Sequence, residues 1–208
     1  QTFYQRHWLS VDLERWKADV RLLKSLGMNN IEAGDDWIGG WNRAKGIVRF
    51  LSEENSHYVV GIRGSQMTDD VAHEMQALNV RHVIIGMESG SQRLLDLCEK
   101  GIALDDQIQC AQALARYRIH PQYTWIFGLP TETPAEFKQT LDQIDRVQKI
   151  HKGDCTQPLF AYRPFPGSAL WDKLDQSKLP HTLAEWGAVD IGYLNDSFTA
   201  AVYHVTGL

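Results

Sequence analysis

The sequence is poor in cysteine. Its 208 residues hold three, Cys98, Cys110 and Cys155. They are too few for a disulfide framework and too widely spaced for a CxxC metal knuckle, so they read as buried thiols with no duty of their own. No apolar run approaches the roughly 20 residues that cross a bilayer. The first ten residues carry Arg6, His7 and Trp8 where a signal peptide would be apolar. Both absences point to a cytoplasmic protein with no membrane segment. Positive charge is also scarce: the formal net charge is -5, which removes the electrostatic case for a nucleic-acid partner. The eight histidines form no HExxH or other ligand spacing, so no metal site is read from them. What remains is a small-molecule or metabolite substrate.

What the chain does contain is 43% hydrophobic residues, enough for one substantial core, in a regular alternation of two periods. Leu13, Trp16, Val20 and Leu23 are spaced for a helix over 10–26, with Ser10 as its N-cap and Gly27 as its stop. Residues 31–34 read as a strand with an acidic tip, Asp35-Asp36. A helix through Ile47, Phe50 and Leu51 follows. The unit then repeats, with strands over 58–63, 82–86, 122–127 and 159–163. Helices are predicted from Thr68, through Leu94 and Leu95, over 105–117 with Asp105 as cap, and from Thr133, where Thr133-Pro134-Ala135-Glu136 combines an N-cap, a first-turn proline and a capping-box glutamate. A short helix is expected over 168–174, and Thr182 with Glu185 forms another capping box.

Each pair of strands is separated by enough chain for a helical crossover, which predicts a parallel sheet with right-handed connections. In such sheets ligands bind at the carboxyl ends of the strands, where loops converge and helix N-termini offer amide donors. The expected rim is Asp35 and Asp36, Arg63, Glu88 with Ser89 and Ser91, Gly128 with Glu132, and Arg163 with Gly167. The segment 86–91, Gly-Met-Glu-Ser-Gly-Ser, is its densest part: two glycines permit close backbone approach, and a carboxylate with two hydroxyls suits a ribose diol. The competing reading is that Ser91 only caps the next helix and Glu88 only satisfies the turn. Asp35 and Asp36 suit an ammonium group or a structural contact better than a metal. Arg63 fits either a bidentate carboxylate clamp or an outward salt bridge.

Three segments in register carry a resemblance: Ile85-Gly86-Met87-Glu88-Ser89-Gly90-Ser91 with Lys100-Gly101, then Phe127-Gly128-Leu129-Pro130-Thr131-Glu132-Thr133, then Pro164-Phe165-Pro166-Gly167-Ser168-Ala169-Leu170. Together they resemble the strand-end motifs of radical S-adenosylmethionine (radical SAM) enzymes. The Asp35-Asp36 strand end and the Pro-Phe-Pro-Gly turn resemble the cobalamin-dependent branch that includes anaerobic magnesium-protoporphyrin ester cyclases. The resemblance implies an α/β fold, a partial parallel (β/α)6 TIM-like barrel, over residues 1–180, with 181–208 starting a C-terminal extension. It implies S-adenosylmethionine held against a 4Fe-4S cluster, a 5′-deoxyadenosyl radical that abstracts hydrogen from an organic substrate, an external electron donor such as flavodoxin or ferredoxin, and cobalamin in an upstream domain. Glu88 and Ser89, with Ser91 beside them, would contact the ribose or amino-acid part, Ile126, Phe127 and Gly128 would line the adenine, and Asp35 and Asp36 would take the place of the turn that binds the methionine amine.

One departure stands out. No CxxxCxxC occurs anywhere in the chain, although the family needs three thiolates for its cluster. The expectation is that the first strand and cluster loop are missing from the start and that this piece is inactive alone. Two other functions stay open: an ordinary β/α barrel enzyme with a phosphate- or sugar-binding rim, and a non-catalytic barrel scaffold.

Overall fold

The computed structural model describes residues 12–28, 41–54, 59–164, 168, 170–182 and 184–185. The expected strand 31–34 with Asp35 and Asp36, the Ser10 cap, Tyr58 and residues 165–167 lie outside them. In chain order the elements are α1 (Leu13–Ser25), α2 (Trp41–Glu53), β1 (Val59–Gly61), α3 (Asp69–Ala77), β2 (His82–Glu88), α4 (Gln92–Leu97), α5 (Leu104–Arg116), β3 (His120–Phe127), α6 (Pro134–His151) and β4 (Leu159–Ala161). The described strands form one open parallel sheet in the order β1-β2-β3-β4. A helix therefore connects each strand to its neighbour, and all described strand C-termini share one edge.

Period-two burial shows which face of the sheet the helices cover. Val60, Val83, Ile85, Met87, Tyr123 and Trp125 are buried with Met75, Cys110, Leu114 and Val147 in the main core. The alternate residues His82, Ile84 and Gly86 on β2, and His120, Gln122, Thr124 and Ile126 on β3, are only half-buried and occupy the other face. A second apolar cluster of Leu94, Leu129, Ala161, Tyr162, Leu170 and Leu174 closes the C-terminal end.

Local chemistry explains most element ends and corrects several of the expected ones. Asp12 caps α1, its Oδ1 accepting from Arg15 N at 3.0 Å. For α5 the cap position is Ala103, whose N–H donates to Asp106 Oδ2 at 2.8 Å; Asp105 lies exposed in the first turn and caps nothing. Strand β3 begins two residues earlier than its aromatic content suggests, because Pro121 is accommodated. The carbonyl of Pro121 accepts from Thr156 N, on the side where β4 has not yet begun, so the missing proline N–H breaks no rung. The helix expected over 168–174 is reduced to a single 3-10 turn, Trp171–Lys173.

Gly90 locks the rim to the helix layer. A Cβ there would lie 2.7 Å from Thr140 Cα, in the backbone of α6. Gly90→Ala should therefore destabilise the fold by about 1–3 kcal/mol through overpacking. Chemical denaturation of both proteins checks this, and an unchanged midpoint would show that α6 can retreat.

Candidate functional site

The C-terminal edge of the sheet brings together Arg63 after β1, Glu88 at the end of β2, and Ile126, Phe127 and Gly128 at the end of β3. Six non-glycine residues among those described have positive φ. Asn79, Glu99, Arg118 and Lys152 sit at or just past the ends of α3, α4, α5 and α6, a common way for a helix to stop. The other two, Glu88 (φ 65°) and Thr131 (φ 65°), are both on the rim.

Glu88 owes its backbone conformation to an irregularity in the β2–β3 register between Gly86 and Glu88. Its carboxylate folds back above Gly86: a Cβ on residue 86 would lie 2.5 Å from Glu88 Oε1. A side chain at residue 86 would have to displace that carboxylate. The Glu88 side chain is only 9% exposed, and Oε1 lies 2.8 Å from Lys100 Nζ. A buried carboxylate needs such a partner, yet it offers about four acceptor sites, so one ammonium does not exhaust it.

The two serines face inward. Ser89 is buried, with Oγ 3.1 Å from Thr140 Oγ1 and accepting from Ser91 N at 3.1 Å. Ser91 stands at the N-cap of α4 but makes no side-chain cap bond there; its hydroxyl donates to Glu136 Oε1 at 3.0 Å. Gln107, fully buried, donates from Nε2 to the carbonyls of Met87 (2.8 Å) and Ser89 (3.0 Å), on either side of Glu88.

The second rim segment is built around Glu132, whose Oε2 accepts from Gly128 N at 2.5 Å and Leu129 N at 3.3 Å. Burial pushes the Glu132 carboxyl above its ordinary range, against the pull of those two amides, and Oε1 is buried without a hydrogen-bond partner. Ile126 and Phe127 are half-buried beside the second apolar cluster, and Phe127 lies against Phe137 of α6. Arg93 joins the two segments: it donates to Glu136 through Nε (2.7 Å) and Nη2 (2.7 Å), and to Thr131 through Nη1 (3.0 Å, to Oγ1) and Nη2 (2.8 Å, to the carbonyl). Of these helpers, Glu132 and the Glu136 cap were legible in the sequence. Lys100, Arg93, Gln107 and Thr140 were not assigned roles, because their partners are 12 to 51 residues away.

With this geometry in view, residues 3–144 match the model of the radical SAM superfamily. The chain belongs to that superfamily. An uncharacterized methyltransferase of Pyrococcus horikoshii is 26% identical over 173 residues, 81% of this chain and 37% of that protein. A tRNA-2-methylthio-N(6)-dimethylallyladenosine synthase of Psychrobacter cryohalolentis is 26% identical over 218 residues, 96% of this chain and 42% of that protein. The chain thus spans well under half of these curated relatives. In fold it is similar to the radical S-adenosylmethionine methyltransferase TsrM of Kitasatospora setae, solved with cobalamin and a [4Fe-4S] cluster, at TM-score 0.66 and 16% identity over 80% of this chain and 32% of that one. The open parallel sheet is therefore part of a TIM-barrel-like radical SAM core.

The cysteines do not fit a cluster. Cys110 is buried in the main core and Cys98 and Cys155 belong to different elements. No group of three His, Cys, Asp or Glu that could hold a metal occurs among the described residues. Burial pushes the Cys98 thiol up to about 11, with the Glu88 charge adding to it, and raises Cys110 further. Among the described residues no helix is long and apolar enough to cross a membrane.

Glu136 gives a pH signature. Its carboxyl is lowered to about 2, first by the Arg93 hydrogen bonds and then by Thr133 and Ser91, against a desolvation that raises it. The folded value lies below the unfolded one of 4.5, so this stability is complete above the unfolded value and is lost as pH falls from there toward 2. Glu136→Gln should lower stability at neutral pH and flatten the acid limb. Parallel denaturation series for the two proteins would test it, and superimposable acid limbs would refute the assignment.

Proposed function

We propose that this chain forms the S-adenosylmethionine-holding rim of a radical SAM enzyme, with Glu88 accepting from the ribose hydroxyls. The observation that carries the reading is the Glu88 carboxylate itself: it lies above Gly86 at the C-terminal edge of the sheet on a left-handed backbone, a conformation that costs about 1–3 kcal/mol and persists only where the surroundings enforce it. Gly128, Ile126 and Phe127 supply the adenine side, where backbone amides are already organised by Glu132. Ser89 and Ser91 serve the site by holding the turn against α6. Arg63 suits the methionine carboxylate, and Asp35 with Asp36, outside the described residues, suits its amine.

S-adenosylmethionine supplies either a methyl group or an adenosyl radical. The radical route needs a 4Fe-4S cluster, and this chain's own cysteines do not fit one, so its share is to bind and orient the cofactor, and by itself it should not react. A methyltransferase relative and the likeness to cobalamin-bound TsrM support methyl transfer to an organic substrate, with cobalamin in a further domain.

Glu88→Ala in the full-length protein should weaken S-adenosylmethionine binding by about 1.5–3 kcal/mol, the value of a hydrogen bond to a charged group. Calorimetric titration reads this directly, and an unchanged affinity removes Glu88 from the site.

A further inference from the structure

The left-handed Glu88 lies between two carbonyls that one side chain holds. Gln107 Nε2 bonds the Met87 carbonyl on one side and the Ser89 carbonyl on the other, and its Oε1 accepts from Gln143 Nε2 at 2.9 Å. Gln143 Nε2 also bonds the Leu104 carbonyl at 3.3 Å, and Gln143 Oε1 accepts from Arg146 Nη1 at 2.9 Å. The amide of Gln107 therefore cannot rotate to offer its oxygen to those carbonyls without breaking bonds at both ends. From the other side Thr140 Oγ1 accepts from Gly90 N at 3.0 Å and meets Ser89 Oγ at 3.1 Å. One directional chain satisfies all of these groups: Ser91 N–H to Ser89 Oγ, Ser89 O–H to Thr140 Oγ1, and Thr140 O–H to the Glu136 carbonyl at 3.3 Å.

Gln107 on α5 and Thr140 on α6 are both fully buried, and their side-chain bonds run to the backbone and hydroxyls of the turn and to the helix layer. We propose that Gln107 and Thr140 are positioning residues that set S-adenosylmethionine affinity by holding Glu88 in its left-handed conformation, a proposal that rests on the cofactor reading above. A buried network of this kind fixes one backbone geometry because each alternative strands a polar group. It also accounts for Gly90, whose missing Cβ lets the turn approach α6 closely enough for the Thr140 bonds to form.

The test is a double-mutant cycle with S-adenosylmethionine as the calorimetric probe and the full-length protein as host, accompanied by amide hydrogen exchange at Gly90. Thr140→Val should accelerate exchange at Gly90 and weaken binding roughly five- to tenfold. Thr140→Ser, which keeps the hydroxyl, should restore both. In a Glu88→Ala background Thr140→Val should cause no further loss of affinity, since the effect passes through Glu88. Gln107→Glu, which replaces the double donor by a carboxylate aimed at two carbonyls, should repeat the pattern; if that variant does not fold, the threonine cycle decides alone. Faster exchange at Gly90 with unchanged affinity overturns the proposal, and so does a loss of equal size with and without Glu88. If Glu88→Ala alone leaves affinity unchanged, the cofactor reading has failed and the proposal falls with it.

Discussion

The rim depends on the N-terminus of α6, and within it on the carboxylate of Glu136. That group accepts from the Thr133 backbone and hydroxyl as a helix cap, from the Ser91 hydroxyl, and from the Arg93 guanidinium. A cap bond contributes about 1 kcal/mol to a helix. Here the same atoms also tie the turn after β2 to the turn after β3, because Arg93 reaches on to both the hydroxyl and the carbonyl of Thr131. Two loops that are separate in sequence are thus referenced to one helix end. Loss of this carboxylate would leave a guanidinium and a hydroxyl without their acceptor at a half-buried place, where the cost exceeds that of an exposed ion pair.

The distribution of backbone strain agrees with this arrangement. Left-handed residues at helix ends are cheap, since each lets a helix terminate and satisfies its last carbonyls. Glu88 and Thr131 have no such excuse. Both are held by contacts to the α4–α5–α6 layer, Glu88 through its neighbours and Thr131 through Arg93. Strain of this kind persists only where a scaffold over-determines it, and here the helix layer does so. The covered side of the sheet therefore works as the mould that fixes the backbone of the rim.

Local periodicity made the alternation of strands and helices legible, because apolar spacing and turn residues act within a few residues. The Thr133 capping box and the stop at Gly27 were readable for the same reason. At the start of α5 the sequence pointed to Asp105 as the cap, whereas the cap position is Ala103 and its N–H donates to the carboxylate of Asp106 three residues on, a direction that spacing does not show. The rim residues were legible as types and places: Glu88, Ser89 and Ser91 follow a strand. Their directions were not. Whether a serine faces a ligand or a helix depends on partners such as Thr140 and Glu136, 51 and 45 residues away, and single-sequence spacing carries no information at that distance. Lys100 was visible only as part of a motif, and its pairing with Glu88 needed the turn after α4 to bring it back.

That pairing constrains what the rim can hold. A carboxylate 9% exposed is stable as a charge only beside a compensating cation, and Lys100, with a side chain 45% exposed, supplies it from the solvent side. A neutral ligand that displaced the lysine would leave Glu88 charged and unpaired, so such a ligand must bind with Lys100 in place. S-adenosylmethionine carries a sulfonium and an ammonium, and its ribose hydroxyls can donate to the carboxylate. It can share Glu88 with Lys100 or release the lysine to water, since either arrangement keeps positive charge near the buried acid. An anionic phosphate would meet the Glu88 charge at the only described strand end where a carboxylate is this deeply buried within the strand itself, which weighs against the phosphate-binding alternative. The Glu88–Lys100 pair thus agrees with the proposed cofactor reading, in which positive charge stays beside the buried acid.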